Sequence, residues 1–182
     1  MSFDLQPALS GESLILRPLA ADDWAGLFAV GSDPRVWALH PVSDRYQEES
    51  FRAYFTERLA CGGALVVVDR VTGAVIGSSS FAGYDATKSS IEIGWTFLAA
   101  SHWGGNANRE MKRLMLAHAF RFVDQVRFRV GENNVRSRAA MEKIGGVLTG
   151  RVEAIVIGGV AVNHEIFAIM KTDFETTGLG RL

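Results

Sequence analysis

Two segments of the chain contain the residues that could carry chemistry, and the first has the backbone pattern of an anion-binding site. In the first, residues 96–120 (TFLAASHWGGNANREMKRLMLAHAF), a strand pattern runs into a loop with two glycines and then into a long helix pattern. The first N–H groups of a helix have no partner within it, and the helix dipole adds positive potential at the same point. A diphosphate would fit there, although two glycines alone are more typical of an ordinary tight turn.

Residues 131–146 (GENNVRSRAAMEKIGG) form the second segment, a strand end followed by a short helix pattern. Asn133 or Asn134 is predicted to cap this helix, and Gly145 to end it. Asn134 and Ser137 have the NxxS spacing of a helix start. Taken alone, a serine in the first turn is more often a capping or surface residue than a catalytic one.

Hydrophobic periodicity predicts the elements that position these segments. Strands are predicted over 14–17, 64–68, 74–81, 90–98, 126–130, 152–157 and 160–170. Helices are predicted after Asp22 and Asp23, over 50–59, from Asn108, a good cap, to about Val123, and after Asn133 or Asn134. Gly158 and Gly159 are predicted to form the turn of the last hairpin.

The strand over 90–98 leads directly into the glycine-containing loop. Its alternation is expected to place Ile91, Ile93 and Trp95 on one face and Glu92 on the other. The element order is strand, two helices, three strands, helix, strand, helix and two strands. This order predicts one α/β (α+β) domain over residues 1–182, with a core at about 12–172 and a mixed seven-stranded sheet flanked by helices.

Composition excludes several classes of function. The formal net charge is −1, so no global basic field attracts nucleic acid. No apolar run approaches the ~20 residues of a membrane span, and the N-terminus lacks the pattern of a secretory signal, so we expect a cytoplasmic protein without membrane contact. Four scattered histidines lack metal-site spacing, so no metal is expected and each is interpreted as a packing or surface residue. Cys61, the single cysteine, has no base placed beside it by the sequence and is not expected to be a nucleophile.

Together and in this order, the motifs resemble the GNAT superfamily of N-acetyltransferases, in particular the branch of the RimJ/RimL ribosomal-protein N-terminal acetyltransferases. The resemblance covers nearly the whole chain. It is carried by LILRPL (14–19), VIG (75–77), EIGWTFL (92–98), WGGNANREMKRLMLAHAF (103–120) and ENNVRSRAAMEKIGG (132–146). It implies a mostly antiparallel GNAT-like sheet and the use of acetyl-CoA as co-substrate.

The resemblance also implies site residues. The loop and helix start bind the CoA pyrophosphate in this family; the matching residues are Trp103, Gly104, Gly105, Asn106, Ala107, Asn108 and Arg109. The preceding strand end, matched by Thr96, Phe97 and Leu98, holds the pantetheine arm by sheet-like hydrogen bonds. The asparagine matching Asn134 approaches CoA, and the serine matching Ser137 lies near the CoA sulfur, where it could protonate the departing thiolate.

Three positions depart from the family pattern. Asn106 stands where a glycine is common, Asn108 where a small residue is common, and Gly146 where an aromatic residue is usual. Asparagine tolerates left-handed backbone better than other residues with side chains, so Asn106 need not disrupt the loop. Asn106 and Asn108 support an alternative interpretation, a catalytically weak or inactive CoA-binding regulatory module with the same fold.

The acceptor is expected to be a primary amine, either a small molecule or a protein N-terminus. Glu92, on the strand beside the expected thioester, is the candidate base that takes the amine proton, with an ion pair to an arginine as the alternative role. The acceptor side is expected to be shaped by residues 35–41, Tyr84, Asp85 and the last hairpin. A homodimer is compatible with the sequence.

Overall fold

The computed structural model describes residues 3–157 and 160–176. Within these residues there are eight strands: β1 (Leu9–Ser10), β2 (Leu14–Pro18), β3 (Ala64–Asp69), β4 (Val75–Asp85), β5 (Ser90–Leu98), β6 (Gln125–Gly131), β7 (Val147–Ile157) and β8 (Val160–Met170). Six α-helices accompany them: α1 (Trp24–Gly31), α2 (Pro34–Trp37), α3 (Glu48–Ala60), α4 (Ala107–Ala119), α5 (Val135–Lys143) and α6 (Lys171–Thr176).

All eight strands belong to one sheet, in the order β1-β2-β3-β4-β5-β6-β8-β7. Every neighbouring pair is antiparallel except β5 and β6, which are parallel. The predicted mixed, mostly antiparallel fold is therefore confirmed. The eighth strand is the two-residue β1, which is too short to give a periodic signal in the sequence.

Two core clusters cover opposite faces of the sheet, as alternation along β3 shows. Leu65 and Val67 belong to the first cluster, which includes the buried residues of α4, whereas Ala64 and Val66 belong to the second, which includes those of α1, α2 and α3. Because successive strand residues point to opposite faces, the two clusters define a three-layer α/β/α arrangement.

Helix α4 is the central helix of the first layer. Its apolar stripe is fully buried, with Met111, Met115, Leu116 and Ala119 at 0% exposure. Glu110, in its first turn, fixes this helix to β2: the carboxylate accepts hydrogen bonds from the backbone N–H groups of Ser13 and Leu14 at 2.9 and 3.3 Å and from the Ser13 hydroxyl. The helix start, and the loop before it, are thereby held against the sheet.

Strand β5 departs from the predicted alternation at Trp95, and that prediction is wrong. Ile91 and Ile93 pack in the first cluster, whereas Trp95 packs against the second. The register with β4 shifts between the pairs Ser80–Gly94 and Ser78–Phe97, which makes a β-bulge. Trp95 has φ +51°, in the left-handed region, so the side chains from Trp95 onward point to the faces opposite to those that alternation predicts.

Other sequence predictions have mixed outcomes. The four predicted helices are present, but α4 begins at Ala107, so the prediction that Asn108 caps it is wrong; Asn108 lies inside the first turn. Helices α2 and α6 were not predicted, since they are only four and six residues long. The predicted turn at 158–159 lies outside the described residues. None of the helices described here combines the length and the apolarity that a membrane crossing requires.

Replacing Glu110 by alanine should loosen the start of α4. The substitution leaves the N–H groups of Ser13 and Leu14 without their charged acceptor, and we expect the free energy of unfolding to fall by about 1–3 kcal/mol. Urea unfolding of Glu110→Ala measures this, with Glu142→Ala as control because Glu142 is exposed on α5. Equal stabilities of the two variants would contradict the anchoring role.

Candidate active site

The parallel pair β5–β6 is hydrogen-bonded only at its start, and the strands then diverge. Pairing covers Ser90–Gln125, Ile91–Val126 and Glu92–Arg127, and stops there. A cleft of about 600 Å³ occupies the gap beyond. Its lining includes Met141 and Ile144 from the first core cluster and Trp37, Tyr54 and Phe97 from the second, so the cleft reaches through the sheet from one face to the other.

The cleft has two ends. We call residues 102–109 together with 134–144 the loop end, and residues 36–41 with Arg45, Tyr54 and His164 the α2 end. Most of the residues that the sequence singled out line this one cleft: Thr96, Phe97, Leu98, Trp103, Gly104, Gly105, Asn106, Asn108, Arg109, Asn134 and Ser137. Ala107 does not line it, because its side chain is buried in the first core cluster. Glu92, Tyr84 and Asp85 are also absent from the lining.

The loop before α4 is fixed by the contacts that Trp103 makes with β5 and α5. Trp103 donates its indole N–H to the carbonyl of Leu98 at 2.9 Å, and the guanidinium of Arg136 lies 4.2 Å from the Trp103 ring centre. Gly104 has φ +75°, the left-handed region that glycine adopts without strain. Asn106 has φ −83°, so its side chain causes no conflict with the loop backbone.

Asn134 caps α5, as predicted. Its side-chain oxygen accepts a hydrogen bond from the backbone N–H of Ser137 at 3.1 Å. This bond satisfies one of the helix-start N–H groups and fixes Ser137 in the first turn. Since Ser137 lines the cleft, its hydroxyl is positioned at the loop end beside Asn134.

Glu92 is 8% exposed, and its Oε2 accepts a hydrogen bond from the Arg129 guanidinium at 3.0 Å. Burial raises the pKa of Glu92 above its ordinary value, and the positive charges of Arg129 and Arg127 oppose this shift. The other oxygen, Oε1, lies 3.4 Å from the point where a Cβ on Gly94 would stand, and Gly94 lines the cleft. The absence of a side chain at Gly94 leaves space between this carboxylate and the cleft.

Lys112 is a functional candidate that was not predicted from the sequence. It is 2% exposed, lines the cleft, and donates to the hydroxyl of Thr96 at 2.6 Å and to that of Ser79 at 3.2 Å. Burial lowers the pKa of Lys112 to about 7. A signal existed in the sequence: Lys112 precedes Leu116 by four residues, which places it on the buried face of α4, where a lysine is unusual.

The α2 end is built around aromatic side chains. The Tyr54 hydroxyl, whose pKa burial raises to about 12, donates to the carbonyl of Trp95 at 3.1 Å, which ties α3 to the bulge. His40 and His164 line this end, although the sequence predicts a packing or surface role for each histidine. His118 does pack, with its ring 5.3 Å from that of Phe3. Among the described residues, no group of three or more metal-ligating side chains comes together.

Known proteins share both the sequence pattern and the fold. The family model of the acetyltransferase (GNAT) domain matches residues 13–147. No curated protein matched the sequence. Many solved structures share the fold, including a putative acetyltransferase from T. thermophilus (27% identity, 92% of this chain and 90% of that chain, TM-score 0.75). The fold is also similar to that of Mycobacterium smegmatis RimJ in complex with CoA-disulfide (19% identity, 93% of this chain and 87% of that chain, TM-score 0.70). It is likewise similar to that of Vibrio cholerae spermidine N-acetyltransferase in complex with CoA and spermine (18% identity, 90% of this chain and 99% of that chain, TM-score 0.68).

Burial of Lys112 should make stability depend on pH. The folded protein holds this proton with a pKa of about 7, whereas the unfolded chain holds it near about 10.4. Between these two pKa values the unfolded state binds more protons, so the free energy of unfolding of the wild type should rise with pH. Below about pH 7 Lys112 is charged in both states, so the cost of burying its charge should be at its maximum and independent of pH.

Lys112→Met removes the titrating group. We expect the free energy of unfolding of the variant minus that of the wild type to be largest at about pH 6.5 and to fall steadily towards about pH 9.5. Urea unfolding at both pH values measures the difference, with Lys143→Met as an exposed control. A difference between Lys112→Met and wild type that stays constant over this range would show that Lys112 does not titrate as described.

Proposed function

The chain belongs to the GNAT acetyltransferase family and is an N-acetyltransferase, and on that premise we propose that it transfers the acetyl group of acetyl-CoA to a primary amine. The observation that carries the proposal is the cleft that opens where β5 leaves β6 and that ends at the glycine-containing loop before α4. A cleft that runs through a sheet lets two substrates meet from opposite faces.

The loop end is proposed to hold acetyl-CoA. The backbone N–H groups around Gly104, Gly105 and Asn106, together with the N-terminus of the 13-residue α4, provide donors and positive potential for a diphosphate. Arg109, in the first helical turn, adds a full charge. The edge of β5 from Thr96 to Leu98 carries backbone groups that β6 does not pair, and these would hydrogen-bond the amides of the pantetheine arm.

The α2 end and the face around Glu92 are proposed to hold the amine. An α-amine with a pKa of about 7.7–8.0 costs under about 1 kcal/mol to deprotonate at neutral pH, whereas a lysine amine costs about 4 kcal/mol. Glu92 is proposed to accept the amine proton, directly or through water, and its raised pKa brings it nearer the operating pH. Ser137 is proposed to donate a proton to the departing thiolate.

The class of acceptor amine is proposed from the resemblance of the sequence motifs to those of the RimJ/RimL branch. The RimJ/RimL-like motifs favour a protein or peptide α-amine, and small-molecule amines share the same chemistry. The similarity in fold to RimJ and to the spermidine enzyme, at 19% and 18% identity, does not choose between them. A cytoplasmic location and a homodimer remain expectations from the sequence.

Gly105→Glu tests the loop end. Gly105 is preferable to Gly104 because its φ is not positive and no atom lies within 4 Å of its added Cβ, so the fold should survive the change. A carboxylate beside the diphosphate should lower acetyl-CoA affinity by at least about 10-fold, through like-charge repulsion. Isothermal titration calorimetry measures it, with Gly105→Ala as the matched neutral control.

The outcomes of this experiment separate the alternatives. Unchanged affinity in Gly105→Glu would place the co-substrate elsewhere. If wild type binds acetyl-CoA at the loop end but releases no CoA with any amine of a broad panel, the inactive CoA-binding module would be the correct description.

Glu92→Gln tests the proposed base. Loss of a general base should lower turnover by about 10²–10⁴-fold at neutral pH, and the loss should shrink at high pH, where the amine deprotonates unaided. Steady-state kinetics from about pH 7 to about pH 9.5 measure this, beside Arg129→Met, which removes the ion-pair partner of Glu92. If both variants lose the same activity at every pH, Glu92 serves to position Arg129 and is not the base.

A further inference from the structure

The charged side chains that line the cleft are all basic. Among the described lining residues, six are Lys or Arg, namely Arg45, Arg109, Lys112, Arg129, Arg136 and Lys143, and none is Asp or Glu. A diphosphate at the loop end accounts for Arg109, Arg136 and Lys143. Lys112 is buried against Ser79 and Thr96, and Arg129 pairs with Glu92 and Glu153. The diphosphate does not account for Arg45, which lies at the α2 end among residues of the second core cluster, on the other face of the sheet.

Arg45 is positioned by aromatic rings and not by a counter-ion. Its guanidinium carbon lies 4.6 Å from the ring centre of Tyr54 and 5.4 Å from that of Trp37. Within the described part of the chain, no carboxylate makes an ion pair with it, and its neighbour Asp44 instead accepts from the Ser50 hydroxyl. Burial lowers the pKa of Arg45, and the more distant charges of Glu57 and Asp44 oppose this shift without outweighing it.

His40 holds the guanidinium of Arg45 in place. Burial and the charge of Arg45 lower the pKa of His40 to about 3, so the ring is neutral. Its Nδ1 lies 2.9 Å from the backbone N of Val42, and its Nε2 lies 3.1 Å from Nη1 of Arg45. The Arg45 guanidinium is therefore fixed by one ring nitrogen of His40 and by two aromatic rings.

We propose that Arg45, held in place by His40, binds a carboxylate of the acceptor, so that the substrate is an amine that also carries a carboxylate. This inference rests on the proposed acetyl transfer and deepens it. The N–H groups of a guanidinium match the two oxygens of a planar carboxylate, and the rings of Tyr54 and Trp37 leave the guanidinium edge as the donor surface. A polyamine would instead meet the positive charge of Arg45 at the α2 end, whose described lining residues include no Asp or Glu.

Matched pairs of amines test the proposal. The panel contains glycine, β-alanine, 4-aminobutanoate and L-leucine, each with the amide of the same skeleton, together with spermidine. Each pair shares a skeleton and differs in the charge of the carboxyl group; because the amide also lowers the pKa of a nearby amine, each kcat/KM is calculated on the concentration of neutral amine. CoA release gives kcat/KM, and calorimetry on the enzyme saturated with CoA gives affinity, for wild type, Arg45→Met and Arg45→Lys. Arg52→Met is the matched control, because Arg52 also stacks on an aromatic ring, 4.1 Å from the centre of Trp24, but does not line the cleft.

We expect at least one acid to be preferred to its amide by wild type. In Arg45→Met the ratio of acid to amide should fall by about 10- to 100-fold, the usual value of a hydrogen bond to a charged group. Arg45→Lys should restore part of the ratio, and Arg52→Met should leave it at the wild-type value. Circular dichroism and acetyl-CoA affinity establish that each variant is folded.

Three results would overturn the proposal: no acid preferred to its amide, an equal loss for acid and amide in Arg45→Met, or spermidine as the preferred substrate. If no amine is acetylated, acetyl transfer fails as the function, and the calorimetric ratio still decides the carboxylate site. A binding preference for the acid that Arg45→Met abolishes supports it, and an absent or unaltered preference refutes it.

Discussion

The site depends on one backbone feature, the point at which β5 ceases to pair with β6. A left-handed residue in the middle of a strand typically costs about 1–3 kcal/mol, and Trp95 adopts that conformation only because its surroundings hold it. The Tyr54 hydroxyl binds its carbonyl, and the Arg58 guanidinium lies 4.3 Å from the centre of its ring. The helices of the second layer therefore fix the bulge. The bulge turns the end of β5, and the diverging strands open a passage between the two faces of the sheet.

The sequence predicted the elements that periodicity and turn residues encode. Four helices, seven strands, the Asn134 cap and the loop end of the cleft could be predicted because local patterns and an ordered set of motifs specify them. The bulge at Trp95 could not, since nothing in an alternating strand marks one residue for a left-handed φ that a distant tyrosine stabilises. Lys112 was missed for a related reason: its hydrogen-bond partners lie on β4 and β5, 33 and 16 residues away along the chain.

The departures from the family pattern acquire a physical meaning in the structure. Asn106 and Asn108 raised the question of whether larger side chains disturb the anion site. The positive φ of the loop falls on Gly104, while Asn106 has right-handed backbone and Asn108 lies within the first turn of α4. Neither position needs the freedom of glycine. The donors that would meet a diphosphate are backbone groups, and their directions follow from the loop and helix geometry whatever the two asparagine side chains are.

The two ends of the cleft therefore differ in whether backbone groups or side chains provide their donors. The loop end relies on main-chain geometry fixed by Trp103, Arg136 and the helix start, so many sequences could retain it. The α2 end relies on individual side chains, because the guanidinium of Arg45 is held by the ring of His40 and by two aromatic rings. A change of one or two of these residues would alter which amine is accepted without disturbing the acetyl donor. Resemblance across the family therefore identifies the reaction, whereas the acceptor must be inferred from the side chains of this chain alone.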